Sequence, residues 1–128
     1  MHLFQVDLEV LKNKLFVPNG FWETWEERRK DCNGCGTGWN KYFVPNTVYG
    51  LNIRIVCCIH DYEYELGGTE RDKKLADENI HDNIENIIDL YDRWYYPQGL
   101  AKKRADTYRF FVQQMGDSSF NYTDKEEK

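Results

Sequence analysis

A chain of 128 residues is long enough for one domain and too short for two of ordinary size. Twenty-two acidic side chains outnumber seventeen basic ones, for a formal charge of -5, and no Lys/Arg stripe alternates with aromatics, so nucleic acid is excluded as a partner class. Apolar residues make up 41% and aromatic residues 16%, so the core must lean on rings more than on aliphatic chains.

No window approaches the run of roughly 18 apolar residues that a membrane span needs. The opening "MHLFQVDLEVLKNKLF" places Asp7 and Glu9 where a secretion signal would need an unbroken apolar region. The expectation is therefore a protein not exported by the usual route, cytoplasmic until released, or carried in a virion or host cell. Cysteines at 32, 35, 57 and 58 allow two disulfides, one disulfide with two thiols, or a metal site, and without a secretion signal the default is reduced thiols. An all-cysteine zinc site is the lesser reading, because Cys57 and Cys58 would point about 100° apart on a helix.

Residues 1–20 carry short apolar runs closed by the turn signal "PNG". "FWETWEERRKD" follows, with Phe21, Trp22 and Trp25 on the greasy edge of a short amphipathic helix that closes the core or anchors at a lipid interface, the former being favoured. "CNGCGTGWN" reads as a loop. Over residues 51–66 the spacing predicts a helix whose buried stripe holds Ile53, Val56, Cys57, His60 and Tyr64. "GGT" breaks it, and Thr69 with Asp72 gives an N-cap signal for a second helix over 70–95. Its stripe runs Asp77, Ile80, Ile84, Ile87, Ile88 and Tyr91, so an aspartate stands where an aliphatic residue belongs. "ERDKK" at 70–74 reads as a solvated face, and "DRWYY" at 92–96 as core or helix-end packing rather than a lipid surface. A third helix follows "YYPQG", and the domain of residues 1–116 ends in a flexible, solvated tail over 117–128.

Two helices joined by a Gly-Gly turn pack antiparallel, which lets His60 and Tyr64 meet Asp77. A buried carboxylate is costly unless it accepts hydrogen bonds, and an imidazole N–H with a phenol O–H would supply them.

"CCIHDYEYELGG" followed by "LADENI" resembles the secreted phospholipase A2 superfamily, whose helix motif sets a cysteine three residues before His-Asp and a tyrosine four residues after the histidine. Cys57, His60, Asp61 and Tyr64 match it, and "CGTG" at 35–38 matches the family's calcium loop. The likeness covers about residues 32–85 and is closest to compact variants such as parvovirus capsid phospholipase domains, where an "AD" like Ala76-Asp77 supplies the second-helix aspartate.

The resemblance implies a mainly α fold with a core of two antiparallel helices and a glycine-rich calcium loop. It further implies calcium-dependent hydrolysis of phospholipid acyl esters at sn-2. His60 would activate water, Asp77 would hold the imidazole tautomer, and Tyr64 would position Asp77. Asp61 and the carbonyls of Gly34, Gly36 and Gly38 would bind Ca2+, with Gly36 N–H as a second oxyanion donor. The substrate would be a phospholipid membrane or lipid aggregate, in a phage or bacterial setting such as entry, lysis or competition. Cys35 and Cys57 match the family's pair tying the calcium loop to the first helix. Gly34 departs from the large residue usual there. Asp82 is the fallback for Asp77, although it turns about 140° away on the helix. The alternative is a non-enzymatic scaffold of the same fold that binds a protein partner through its acidic, aromatic surface.

Overall fold

The computed structural model describes residues 3–32, 45–115 and 120–122, and the chain is mainly helical. In order come α1 (Leu8–Leu11), a 3-10 turn (Trp22–Thr24), α2 (Trp25–Arg28), β1 (Thr47–Val48), β2 (Leu51–Asn52), α3 (Arg54–Leu66), α4 (Glu70–Leu90) and α5 (Gln98–Met115). No helix among the described residues is long and apolar enough to cross a membrane.

The expected helix start at Leu51 is corrected to Arg54. Leu51 and Asn52 instead pair with Val48 and Thr47 in a small antiparallel hairpin. Its two-residue loop places both Tyr49 (φ 47°) and Gly50 (φ 83°) in the left-handed region, the condition a tight hairpin turn requires. Phe4 joins from the other side, donating to Gly50 O while its own carbonyl accepts from Asn52 N, both at 2.9 Å. The Asn52 side chain accepts from Arg54 N at 2.9 Å, so the hairpin leads directly into the first turn of α3.

Two glycines reverse the chain between α3 and α4. Gly67 (φ 68°, ψ -155°) adopts a conformation essentially confined to glycine, and a Cβ there would lie 1.8 Å from the carbonyl oxygen of Asn121. Thr69 and Asp72 then form a reciprocal capping box, Asp72 N donating to Thr69 Oγ1 at 3.3 Å and Thr69 N to Asp72 Oδ2 at 3.0 Å. Ile80, Ile84, Ile87 and Ile88 on α4 are fully buried, each worth roughly 1.5–3 kcal/mol in transfer free energy. Buried among them, Asn83 exchanges hydrogen bonds with both backbone groups of Phe16, at 2.7 and 2.9 Å. This amide fastens the N-terminal segment to the helix.

α4 stops at Leu90, five residues before the expected end. The Gln98 amide reaches back to the carbonyls of Ile88 (3.1 Å) and Tyr91 (2.9 Å), satisfying acceptors that the helix leaves open. α5 returns antiparallel along α4, as the Asp89–Lys102, Glu78–Arg109 and Lys73–Val112 contacts show. Phe21 and Trp25 are buried and close the core, while Trp22 packs half-buried against the same cluster.

Three further expectations are corrected. Cys32 and Cys58 form a disulfide with Cα atoms 5.8 Å apart, and Cys57 is also disulfide-bonded, so neither reduced thiols nor an all-cysteine zinc site describes them. Cross-linking residues separated by 26 positions stabilises by about 3 kcal/mol, largely by restricting the unfolded chain. In the expected solvated tail, Phe120 is buried, Asn121 N donates to Tyr64 O (3.2 Å), and Asn121 O accepts from Gly68 N (3.0 Å). Within "DRWYY", Tyr96 is buried and donates to Val48 O, as core packing requires, whereas Trp94 is 95% exposed.

Replacing Gly67 with alanine is expected to destabilise the protein by at least about 2 kcal/mol in urea denaturation, from backbone strain alone. An unchanged midpoint would show that Gly67 does not hold this glycine-only backbone conformation.

Candidate functional site

The antiparallel register of α3 and α4 is set by the glycine turn, and it brings two one-turn pairs together. His60 and Tyr64 project from α3, Lys73 and Asp77 from α4. Asp77 Oδ1 lies 2.9 Å from His60 Nε2 and accepts from Tyr64 OH at 2.6 Å. Asp77 Oδ2 accepts from Lys73 Nζ at 2.8 Å, and the same ammonium reaches Val112 O on α5 at 3.3 Å. His60 and Asp77 are each 1% exposed.

The Tyr64 ring packs against the imidazole, with centroids 4.2 Å apart. Its outer edge meets Phe120 at 5.1 Å in a perpendicular contact, and the Lys73 ammonium lies 5.6 Å from its centroid. The phenol that braces Asp77 is thereby held by the C-terminal segment as well as by its own helix.

Electrostatics follow from this packing. Burial pushes the Asp77 carboxyl up, but hydrogen bonds from His60, Lys73 and Tyr64 outweigh it and hold Asp77 below the ordinary carboxylate range. Burial lowers the His60 pKa, with Asp77 opposing and the Lys73 charge adding to the fall. The imidazole is therefore neutral at neutral pH. Because an ionised Asp77 can only accept, Nε2 carries the ring hydrogen and the lone pair resides on Nδ1.

Lys73 is the residue that sequence reasoning missed. It was read as part of a solvated run, yet it is buried beneath α5 and bonded to Asp77. Its spacing four residues before Asp77 was the available signal, since such pairs share a helix face. Asp82, the fallback, is turned away and lies 2.9 Å from His81 Nδ1. His81 also approaches Glu85 (3.5 Å) and Asp106 (2.9 Å).

Asp61 projects from the exposed side of α3. Crowding by the surrounding protein, then the Glu65 carboxylate, push its pKa up to about 7. Gly34, Gly36 and Gly38, the other implied calcium ligands, lie outside the described residues, as does Cys35. Two residues further along α3, Glu63 is pushed up to about 8 by burial despite a 2.8 Å hydrogen bond from Asn79.

No protein-family model, curated protein or solved structure matches the chain.

Lys73→Met is expected to cost about 3 kcal/mol at pH 7, because it leaves a buried carboxylate short of one charged donor. Asp77 has a depressed folded pKa, so its contribution is full above its unfolded value near 3.9 and is lost as pH falls through the folded value. The deficit of the variant should accordingly shrink below about pH 4 in chemical denaturation measured across pH. A deficit that stays constant into acid would show that Lys73 acts by packing alone.

Proposed function

We propose that the protein is a calcium-dependent hydrolase of phospholipid acyl esters, acting at sn-2, with His60 as general base. The observation that carries this reading is the buried His60–Asp77–Tyr64 arrangement, in which Nε2 is committed to Asp77. That commitment assigns proton acceptance to Nδ1.

In the proposed reaction, His60 Nδ1 takes a proton from water as the water oxygen bonds to the ester carbonyl carbon. The imidazolium so formed is stabilised by Asp77, while Tyr64 keeps the carboxylate aligned. Collapse of the tetrahedral intermediate breaks the bond to the glycerol oxygen. His60 returns the proton to that leaving oxygen, yielding a fatty acid and a lysophospholipid. Lys73 and Asp77 together carry no net charge, which favours the neutral imidazole that the first step needs.

Asp61 would hold Ca2+ with the carbonyls of Gly34, Gly36 and Gly38. When bound, the ion would polarise the ester carbonyl and offset the oxyanion charge. The disulfide state of Cys32, Cys57 and Cys58 favours an oxidising setting, where calcium is also plentiful compared with cytosol.

Purified protein is expected to release fatty acid from mixed phospholipid vesicles in calcium and not in chelator. His60→Gln should lower turnover by about 10²–10⁴, and Asp61→Asn should lose both calcium binding and turnover. Full activity in Asp61→Asn would overturn the metal assignment. Absence of release and of calcium binding in the folded wild type would leave the scaffold reading.

A further inference from the structure

The end of α4 carries a surface that the His60 site does not use. Trp94 is 95% exposed, Leu3 73%, Tyr95 48% and Tyr49 39%. These side chains belong to one neighbourhood. Trp94 packs edge-on to Tyr95 at 5.6 Å, Tyr95 meets Phe4 at 5.7 Å, and Leu3 and Phe4 both donate to Gly50 O, next to Tyr49. Folding gains little from leaving a tryptophan in water, so the patch calls for an occupant.

Its charge is opposite to that of the molecule. Residues 91–104 contain Arg93, Lys102, Lys103 and Arg104 against Asp92 alone, a net +3 within a chain of -5. Lys102 is spent on Asp89 at 2.7 Å. Arg104 stacks on Tyr49 at 4.8 Å and Arg93 on Tyr91 at 5.0 Å, which keeps both cations beside the aromatic patch. Lys103 is exposed on the neighbouring turn of α5.

We propose that Trp94, Tyr95, Tyr49 and Leu3, flanked by Arg93, Lys103 and Arg104, dock the protein on the surface of an anionic lipid bilayer. Tryptophan and tyrosine rings combine an apolar body with a polar tip and settle at headgroup depth. The adjacent cations meet the anionic headgroups at the same level. The net negative charge of the molecule does not forbid this, because charges more than about 8–10 Å from the bilayer are screened at physiological salt while the local cations are not.

The surface is separate from the chemistry. From Asp77 to the end of α4 at Leu90 is about 20 Å along the helix axis, and Trp94 lies beyond that end. Docking therefore stands without the hydrolase reading, and the two can fail independently.

The test is flotation of the full chain with phosphatidylcholine vesicles, with and without phosphatidylglycerol, in chelator. Wild type is expected to float with the anionic vesicles and to be released by salt. Trp94→Ala should weaken partitioning by about tenfold. Lys103→Gln combined with Arg104→Gln should weaken it by about 25-fold, or fivefold per charge. Both should fold as wild type does, since the altered side chains are exposed and loss of the Arg104–Tyr49 contact costs at most about 1 kcal/mol. Turnover of a short-chain, monodisperse phospholipid separates the readings, because Trp94→Ala keeps it and His60→Gln loses it. Failure of wild type to float, or flotation unaffected by these substitutions, would overturn the docking surface. So would a wild-type dimer in light scattering that Trp94→Ala converts to monomer, since the occupant would then be a second copy of the chain.

Discussion

Asp77 is an ionised carboxylate held almost entirely out of water, and much of the molecule is arranged around satisfying it. An unpaired charge in that position would be protonated or would unfold its surroundings, since desolvation costs several kcal/mol. Here three donors converge on two oxygens: an imidazole and a phenol from α3, and an ammonium one turn away on α4. Each donor demands its own support. Tyr64 needs the wedge of Phe120, Lys73 shares its charge with Val112 O on α5, and His60 needs the α3–α4 register set by Gly67 and Gly68. A single buried acid thus couples α3, α4, α5 and the C-terminal segment.

The same coupling bears on chemistry. A histidine whose Nε2 is engaged by a carboxylate has one tautomer, and its lone pair sits at a known ring atom. The buried ammonium distinguishes this arrangement from a simple His–Asp pair, because it neutralises the carboxylate while the ring is uncharged. The imidazole is consequently kept neutral by burial and by Lys73, while Asp77 acts to hold its orientation. The aromatic and cationic surface near Trp94 is distant from this network and shares none of its hydrogen bonds. The proposed docking surface and the His60–Asp77 pair lie toward different ends of α4.

Much of the helical framework was legible in the residues. The stripe of Ile80, Ile84, Ile87 and Ile88 identified α4, the Thr69–Asp72 spacing marked its start, and His60, Tyr64 and Asp77 could be placed on facing sides from periodicity alone. The hairpin at Leu51 was missed because its strands are two residues long and the flanking apolar pattern is equally compatible with a helix. Lys73 was missed because a charge in a charged run reads as solvated, and only the return of α5 over it creates its burial. Phe120 within the tail was misjudged for a similar reason: one aromatic outweighs its polar neighbours once a complementary edge of Tyr64 awaits it.

By itself, the sequence determined the bodies of α3 and α4, the reversal between them, and which polar residues fall on their apolar stripes, because these depend on local periodicity and on backbone freedom at glycine. Only the tertiary structure decided that Cys32 bonds Cys58, that Lys73 shares Asp77 with His60 and Tyr64, and that Trp94 is left in water while Tyr96 is buried. Those outcomes turn on which distant segments arrive at a given side chain. Burial, pairing and pKa are properties of that meeting, and no local pattern contains them.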